Sequence, residues 1–159
     1  MCNTFKEGLV GFTIKRMETK DLAEVVSIAA SSTLTAWTEK MFVEEMKNPF
    51  SHCFVGKMKG DSIDHVAGII CFRTIEDESE LLNICVHPQY RRRSIGKRLM
   101  QFYTNFCHDK GIKAFHLEVD PSNERAVHLY RSFSYEPSGT RKNFYGGKFD
   151  ALLMARRET

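Results

Sequence analysis

The chain has 159 residues, of which 42% are hydrophobic and 27% charged, and its formal net charge is +3. These values are typical of a soluble globular protein that is long enough to bury a core. The longest apolar run, Val66–Phe72, is far too short to span a bilayer, and the N-terminal segment MCNTFKEGLV lacks the basic and apolar pattern of a secretory signal, so we expect no membrane association.

The first half of the chain contains alternating runs, which predict strands, and apolar stripes at helical spacing. Thr38 is suited to cap the second of two predicted helices, because its hydroxyl can accept from a first-turn amide. The elements expected here, in order, are a strand over Gly11–Met17, a helix over Asp21–Ser31, a helix from Thr38 to about Asn48, and strands over His52–Lys59 and His65–Arg73.

In the second half, strand-like and helix-like runs alternate. Leu99, Tyr103 and Phe106 share one helical face, and Gly111 is placed to end that helix. The expected elements are a strand over Glu80–Val86, a helix over Gly96–Lys110, a strand over Ala114–Val119, a helix over Asn123–Phe133, and strands near Thr140–Tyr145 and Lys148–Arg156.

The strand–helix–strand unit from Glu80 to Val119 should be a right-handed crossover that joins parallel neighbours. Hairpins at either end of the chain are antiparallel, so the sequence predicts an α/β (α+β) fold. Its mixed central sheet has about six to seven strands and about four helices. No repeat or linker is visible, and we therefore expect one domain over residues 1–159.

Five scattered cysteines indicate a reducing environment. Cys53, Cys71 and Cys85 fall inside strand-like runs, where a thiol behaves as a small hydrophobic group. No C-x-x-C pair or His/Cys cluster with zinc spacing is present, so we expect no metal. Free buried thiols favour a cytoplasmic location.

A strongly basic loop connects the strand that ends at Val86 directly to the helix at Gly96. It contains Arg91, Arg92 and Arg93, followed by Ser94, Ile95, Gly96 and Lys97. A helix N-terminus offers unpaired amides and the positive end of its dipole, so this combination can bind a diphosphate. An ordinary surface loop or a nucleic-acid contact remain alternatives. The second is weakened by the lack of interleaved exposed aromatic residues, and we expect no nucleic acid as a partner.

These residues resemble the (Arg/Gln)-x-x-Gly-x-(Gly/Ala) motif with which members of the GNAT superfamily hold the pyrophosphate of coenzyme A; here it reads Arg91-x-x-Ser94-x-Gly96. The resemblance covers nearly the whole chain and narrows to bacterial ribosomal-protein-alanine N-acetyltransferases, the RimI group. Besides the loop motif, the resemblance rests on the segments Ala36–Lys40, Leu82–Val86, Leu117–Val119, Ser122–Asn123, Leu129–Tyr130 and Arg141–Tyr145.

Ser94 departs from this motif, which has glycine there. If the position needs a positive φ, serine strains it by on the order of 1–3 kcal/mol. Alternatively, its side chain caps the helix and offers a hydroxyl to a phosphate. We expect binding of coenzyme A to survive in either case.

Glu118 lies near the C-terminal end of an inner strand, where open α/β sheets build their sites. Strand alternation puts it on the same face as Ala114 and His116. From the residues alone, a structural pair with an arginine such as Arg125 is the simpler interpretation. The resemblance implies instead that Glu118 is the general base that takes a proton from the amine, directly or through water.

Tyr130 shares an apolar helical stripe with Leu129 and Phe133, which is typical of a core residue. The resemblance implies that it is also the general acid for the leaving thiolate. It further implies that acetyl-CoA lies along Ile84, Cys85 and Val86 and contacts Asn123, which alternatively is only a helix N-cap. We interpret Cys85 as a packing residue, since acetyl transfer in this family is direct.

Trp37 and Tyr145 are our candidates for the amine entrance, with ordinary half-buried aromatic residues as the alternative. The acidic run Glu76–Glu80 either attracts a cationic peptide or forms a solvated hairpin turn. The resemblance thus implies an acetyl-CoA-dependent acyltransferase that acts on a primary amine, for which the N-terminus of a ribosomal protein is the leading candidate. A small-molecule amine as acceptor and a non-catalytic coenzyme A-binding module remain alternatives. We expect a monomer or a weak homodimer.

Overall fold

A computed structural model describes residues 9–31, 36–145 and 149–158, without the side chain of Tyr145. Its strands are β1 (Phe12–Arg16), β2 (Ser51–Met58), β3 (His65–Ile75), β4 (Glu78–Val86), β5 (Ala114–Val119), β6 (Glu136–Tyr145) and β7 (Phe149–Arg157). Its α-helices are α1 (Leu22–Ala30), α2 (Glu39–Lys47), α3 (Ile95–Asp109) and α4 (Glu124–Ser132).

The strands form one mixed sheet of seven strands in the order β1-β2-β3-β4-β5-β7-β6. Every neighbouring pair is antiparallel except β4 and β5, which are parallel and joined through α3. The predicted α/β fold with its mixed sheet and strand–helix–strand unit is therefore confirmed.

The helices begin and end where the local chemistry requires. The Thr38 hydroxyl accepts a hydrogen bond from the Met41 amide at 3.3 Å, as predicted for a helix cap. Gly111 takes a φ of +75° just beyond α3, a conformation that costs glycine little. None of the helices formed by the described residues is long and apolar enough to cross a membrane.

Apolar side chains cover both faces of the sheet. On one face, α3 and α4 pack against a core that includes Phe72, Leu99 and Tyr103, all fully buried. On the other face, α1 and α2 bury Val25 and Phe42. Burial of each such large side chain contributes roughly 1.5–3 kcal/mol, so the two cores hold the helices firmly against the sheet.

The parallel pair separates after a short stretch of pairing. Its register runs only from Glu78 opposite Ala114 to Leu81 opposite Leu117. Beyond this point β4 continues along β3, with Leu82 as an extra residue between Leu81 and Asn83, and β5 continues along β7. The sheet is therefore split between the C-terminal ends of β4 and β5.

Two predicted boundaries were wrong. The strand expected near Thr140 begins at Glu136. Most of the acidic run is not a turn: Glu76 and Asp77 form the hairpin turn, and β4 already begins at Glu78. Glu76 takes a positive φ of 55°, which lets the chain reverse within two residues.

Candidate active site

A cleft of about 1150 Å³ follows the split between β4 and β5. Its walls come from both strand ends, from the loop before α3, from the starts of α3 and α4, and from β6. Trp37, which precedes α2, and Phe144 in β6 line it as well. The cleft thus lies where two parallel strands part at their C-terminal ends, the usual position of a binding site in an open α/β sheet.

One end of the cleft is basic. Arg91, Arg92 and Lys97 line it, together with Ser94 and Gly96. Arg93 is not among the lining residues; its guanidinium lies over the Tyr90 ring, 5.5 Å from the centroid. The structure therefore brings all but one residue of the predicted phosphate loop to the cleft.

Ser94 has a left-handed backbone, with φ 62° and ψ 21°. Its side chain makes no capping hydrogen bond, so the expectation that the hydroxyl caps α3 was wrong. The motif position does take a positive φ here, so the backbone strain expected for a serine is present.

The opening turn of α3 faces the same end of the cleft. The first bond of this helical ladder runs from the Arg98 amide to the Ser94 carbonyl, so the amides of Ile95 and Gly96 precede it. A Cβ at Gly96 would lie 3.5 Å from Leu129 and 3.8 Å from Val86, which is ordinary contact. Protein packing therefore does not demand this glycine; its missing side chain leaves room above the helix terminus for a ligand.

The wall formed by β4 includes Ile84, Cys85 and Val86, as predicted. Here β4 is paired with β3 alone, so alternate backbone amides and carbonyls point into the gap. The Cys85 side chain is buried and its thiol donates to the Asn83 Oδ1 atom at 3.1 Å. This wall can pair with an extended ligand as another strand would.

Glu118 lies on the opposite wall, near the end of β5. Its side chain is 21% exposed, and its Oε1 atom accepts a hydrogen bond from the Arg141 Nη1 atom at 2.8 Å. The sequence correctly indicated an arginine partner, but the partner is Arg141 of β6 and not Arg125 of α4. The carboxylate is partly screened from water yet borders the cleft.

Tyr130 and Asn123 come from α4. Tyr130 is buried and packs against Tyr135, with ring centroids 6.1 Å apart, and it also borders the cleft. Tyr130 is therefore a core residue, as its helical stripe predicted, and it also borders the cleft. Asn123 lines the cleft and caps α4, since its Oδ1 atom accepts from the Ala126 amide at 3.2 Å.

Of the two residues predicted to line the amine entrance, the structure describes the side chain of only one. Trp37 is half-buried, packs on Phe42 with centroids 5.1 Å apart, and lines the cleft. The side chain of Tyr145 lies outside the described part of the structure. Sequence reasoning assigned no role to Arg141 or Phe144, although both line the cleft; the only signal for them was the resemblance of the segment that contains them.

A buried polar contact fixes the helix that carries the basic loop. The Tyr103 hydroxyl of α3 and the Ser79 hydroxyl of β4 are 2.7 Å apart, and both residues are buried. Burial raises the pKa of Tyr103 well above its usual range, so the phenol stays neutral. This contact helps fix α3, and with it the basic loop that precedes it, against β4.

A second cavity of about 410 Å³ adjoins the cleft and shares Glu80, Leu117 and Glu118 with it. It continues along the sheet between Glu78 and His116. Among the described residues, no group of three or more His, Cys, Asp or Glu side chains could hold a metal ion.

The split parallel pair, the basic loop and the open helix terminus together define a protein of the acyl-coenzyme A-binding GNAT fold. A sequence profile of the acetyltransferase (GNAT) family matches residues 22–135, so the chain belongs to that family. A Bacillus subtilis relative is 35% identical over 144 residues, which cover 89% of this chain and 92% of the relative. The ribosomal protein bS18-alanine N-acetyltransferase of Escherichia coli K12 is 30% identical, over 90% of this chain and 95% of that protein.

The solved structures agree. The crystal structure of the ribosomal-protein-S18-alanine N-acetyltransferase from Escherichia coli matches with a TM-score of 0.81 and 29% identity, over 92% of this chain and 93% of that one. The predicted family, fold and enzyme class are therefore confirmed: the chain is an N-acetyltransferase whose acetyl donor is acetyl-CoA.

Proposed function

We propose that this enzyme acetylates the N-terminal α-amine of a protein, and that the acceptor is a ribosomal protein beginning with alanine. The named activity of the Escherichia coli relative supports this acceptor. We further propose that one domain carries the activity and that the reaction occurs in the cytoplasm.

In this proposal the basic end of the cleft holds the donor. Arg91, Arg92 and Lys97 neutralise the pyrophosphate, and the first amides of α3 donate to it. Ile84 to Val86 bind the extended arm through their backbone, and those amides polarise the carbonyl. Acetyl-CoA supplies the acetyl group as a thioester. Asn123, at the start of α4, is a further contact for the coenzyme.

Glu118 and Tyr130 move the protons. Glu118 accepts a proton from the amine nitrogen, since an ammonium has no lone pair with which to attack. As the bond from nitrogen to the acetyl carbon forms, the bond from that carbon to sulfur breaks, and the Tyr130 hydroxyl protonates the departing sulfur. After the attack the nitrogen still carries one proton more than the amide product, and it passes this proton to the Tyr130 phenolate directly or through water. Solvent then removes the proton that Glu118 took. Trp37 lines the amine entrance.

The cavity beyond Glu118 is the observation that favours a peptide over a small amine. It shares Glu118 with the main cleft and extends along β4 and β5, so the residues that follow an attacking N-terminus have a path across the sheet. Glu78 and Glu80 line this path together with Arg73 and His116, and Arg73 is paired with Glu45. Glu80 and Glu78, the latter 3.6 Å from the His116 ring nitrogen, therefore give the path an acidic character that suits a cationic peptide.

A peptide-length series tests the acceptor. Peptides that copy the first two, four and six residues of ribosomal protein bS18 would be compared with small amines by following thiol release. We expect kcat/KM to rise with length, because longer peptides occupy the second cavity. A rate that does not depend on length, or a preference for small amines, would remove the protein acceptor from the proposal.

The role of Glu118 is tested by Glu118→Gln, with Glu136→Gln as the matched control. Glu136 is exposed at the start of β6 and lines neither cavity. Without its base, the enzyme depends on amine molecules that are already neutral, so Glu118→Gln should lose turnover mainly at lower pH. If its pH–rate profile matches those of the wild type and of Glu136→Gln, Glu118 is not the base.

A further inference from the structure

Arg141 and Phe144 lie on the same side of β6, although a regular strand would put residues three apart on opposite faces. The register explains this: Arg141 is opposite Ala151 and Tyr145 is opposite Phe149, so three residues of β6 face a single residue of β7. Within this bulge Asn143 has a positive φ of 55°, and its amide donates to the Asp150 Oδ1 atom at 3.0 Å.

The bulge creates a platform for the guanidinium. The Arg141 Cζ atom lies 4.6 Å from the centroid of the Phe144 ring, and from there its Nη1 atom reaches Glu118 Oε1 at 2.8 Å. Cation–π contact and a charge-assisted hydrogen bond thus constrain the same side chain from two directions.

The contact leaves one oxygen of the carboxylate available. Among the hydrogen bonds between described residues, Oε1 accepts from Arg141, and no donor to Oε2 is found. Other charged groups that border the same cleft are Glu80 of β4, Asp120 after β5, Arg125 of α4, and Arg91, Arg92 and Lys97 of the phosphate loop. Arg141 is the cation that contacts the Glu118 carboxylate directly within the described residues.

We infer that Arg141 is a positioning residue for the transfer reaction: it holds Glu118 Oε1 so that Oε2 faces the incoming amine. This inference rests on the proposed role of Glu118 as the base. Phe144 fixes the guanidinium plane, and the bulge in β6 puts both residues at the cleft. A base that is turned away from its proton is a poor base even when its charge is unchanged.

If Arg141 only stabilised the fold, its removal would lower the melting temperature of the protein. The Arg141 side chain is 58% exposed, and an ion pair this open contributes little to stability. Removal of the guanidinium should therefore leave the melting temperature nearly unchanged while turnover falls.

The test compares Arg141→Ala and Arg141→Lys, with Lys142→Ala as control for the loss of a neighbouring exposed cation on the same strand. We expect Arg141→Ala to lower kcat by about tenfold to a hundredfold, with the affinity for acetyl-CoA within about twofold of the wild type. Added guanidinium ion should restore turnover to Arg141→Ala but not to Lys142→Ala. Arg141→Lys should keep part of the activity, because an ammonium donates to a carboxylate without the planar fork.

A double variant separates this inference from the proposed function. If Arg141 acts through Glu118, Arg141→Ala should not slow an enzyme that already carries Glu118→Gln. Full activity of Arg141→Ala, or equal additional loss in the Glu118→Gln background, would overturn the positioning role while Glu118 remains the base. Full activity of Glu118→Gln alone would instead overturn the proposed base.

Discussion

Ser94 allows a direct measurement of the backbone strain in the phosphate loop. It has a φ of 62° at the residue that precedes α3, and its hydroxyl gives the helix no capping bond in return. Ser94→Gly therefore removes a steric cost without removing a capping interaction.

The expected gain is the difference between two opposing effects. A left-handed conformation costs a residue with a side chain roughly 1–2 kcal/mol. Glycine loses about 0.5–1 kcal/mol relative to alanine because its unfolded chain is freer. Their difference is about 0–1.5 kcal/mol, with a central value of about 0.75 kcal/mol that raises the melting temperature of a chain of this length by about 2–3 °C.

Thermal and urea unfolding would measure this gain, with Ser27→Gly as the control. Ser27 is exposed within α1, where glycine should lower stability by a few tenths of a kcal/mol. Because Ser94 is strained in the folded chain itself, relief of the strain should change unfolding far more than the affinity for acetyl-CoA. A melting temperature that falls in Ser94→Gly would refute the argument that the serine is strained.

Two further predictions concern the general acid and a buried ion pair. Tyr130→Phe should lower kcat by about a hundredfold or more with little change in acetyl-CoA affinity. The control Tyr135→Phe should lower stability but keep the rate, since Tyr135 is buried beside Tyr130. Equal rates for the two variants would show that Tyr130 is a core residue without a role as the acid. Burial alone would raise the pKa of Glu45, but hydrogen bonds from Arg73 and Ser51 outweigh it and lower that pKa from 4.5. The paired carboxylate thus stabilises the fold above about pH 4.5, and this contribution is lost as the pH falls through the lowered pKa. Urea unfolding at a series of pH values should therefore show that the free energy of unfolding falls less steeply with acid in Glu45→Gln than in the wild type.

The sequence was sufficient for features that depend on neighbouring residues. Periodicity located all the described strands and α-helices, and a threonine before an amphipathic run identified the cap at Thr38. The loop that opens α3 was visible because strand, basic residues and helix follow each other directly along the chain. Each of these signals acts within a few residues, where local chemistry decides the conformation.

Features that depend on register between distant strands were not predictable. The extra residue at Leu82 appears only when β4 is aligned with β3, and the bulge that includes Asn143 only when β6 is aligned with β7. For the same reason the sequence suggested Arg125 as the partner of Glu118, because Arg125 is close to it along the chain. Arg141 lies beside Glu118 only because β5 pairs with β7 and β7 pairs with β6.

The bulge at Leu82 also accounts for the opening between the parallel strands. An extra residue increases the local twist of β4 and turns its last residues with β3, while β5 stays in register with β7 through Val119. The two strands then cannot remain within hydrogen-bonding distance, so alternate backbone groups of β4 face Glu118 across the gap instead of a paired strand. In the proposed reaction the bulge therefore serves both substrates: it exposes the backbone that binds the acetyl donor, and it leaves room for an amine to reach the carboxylate on the opposite wall.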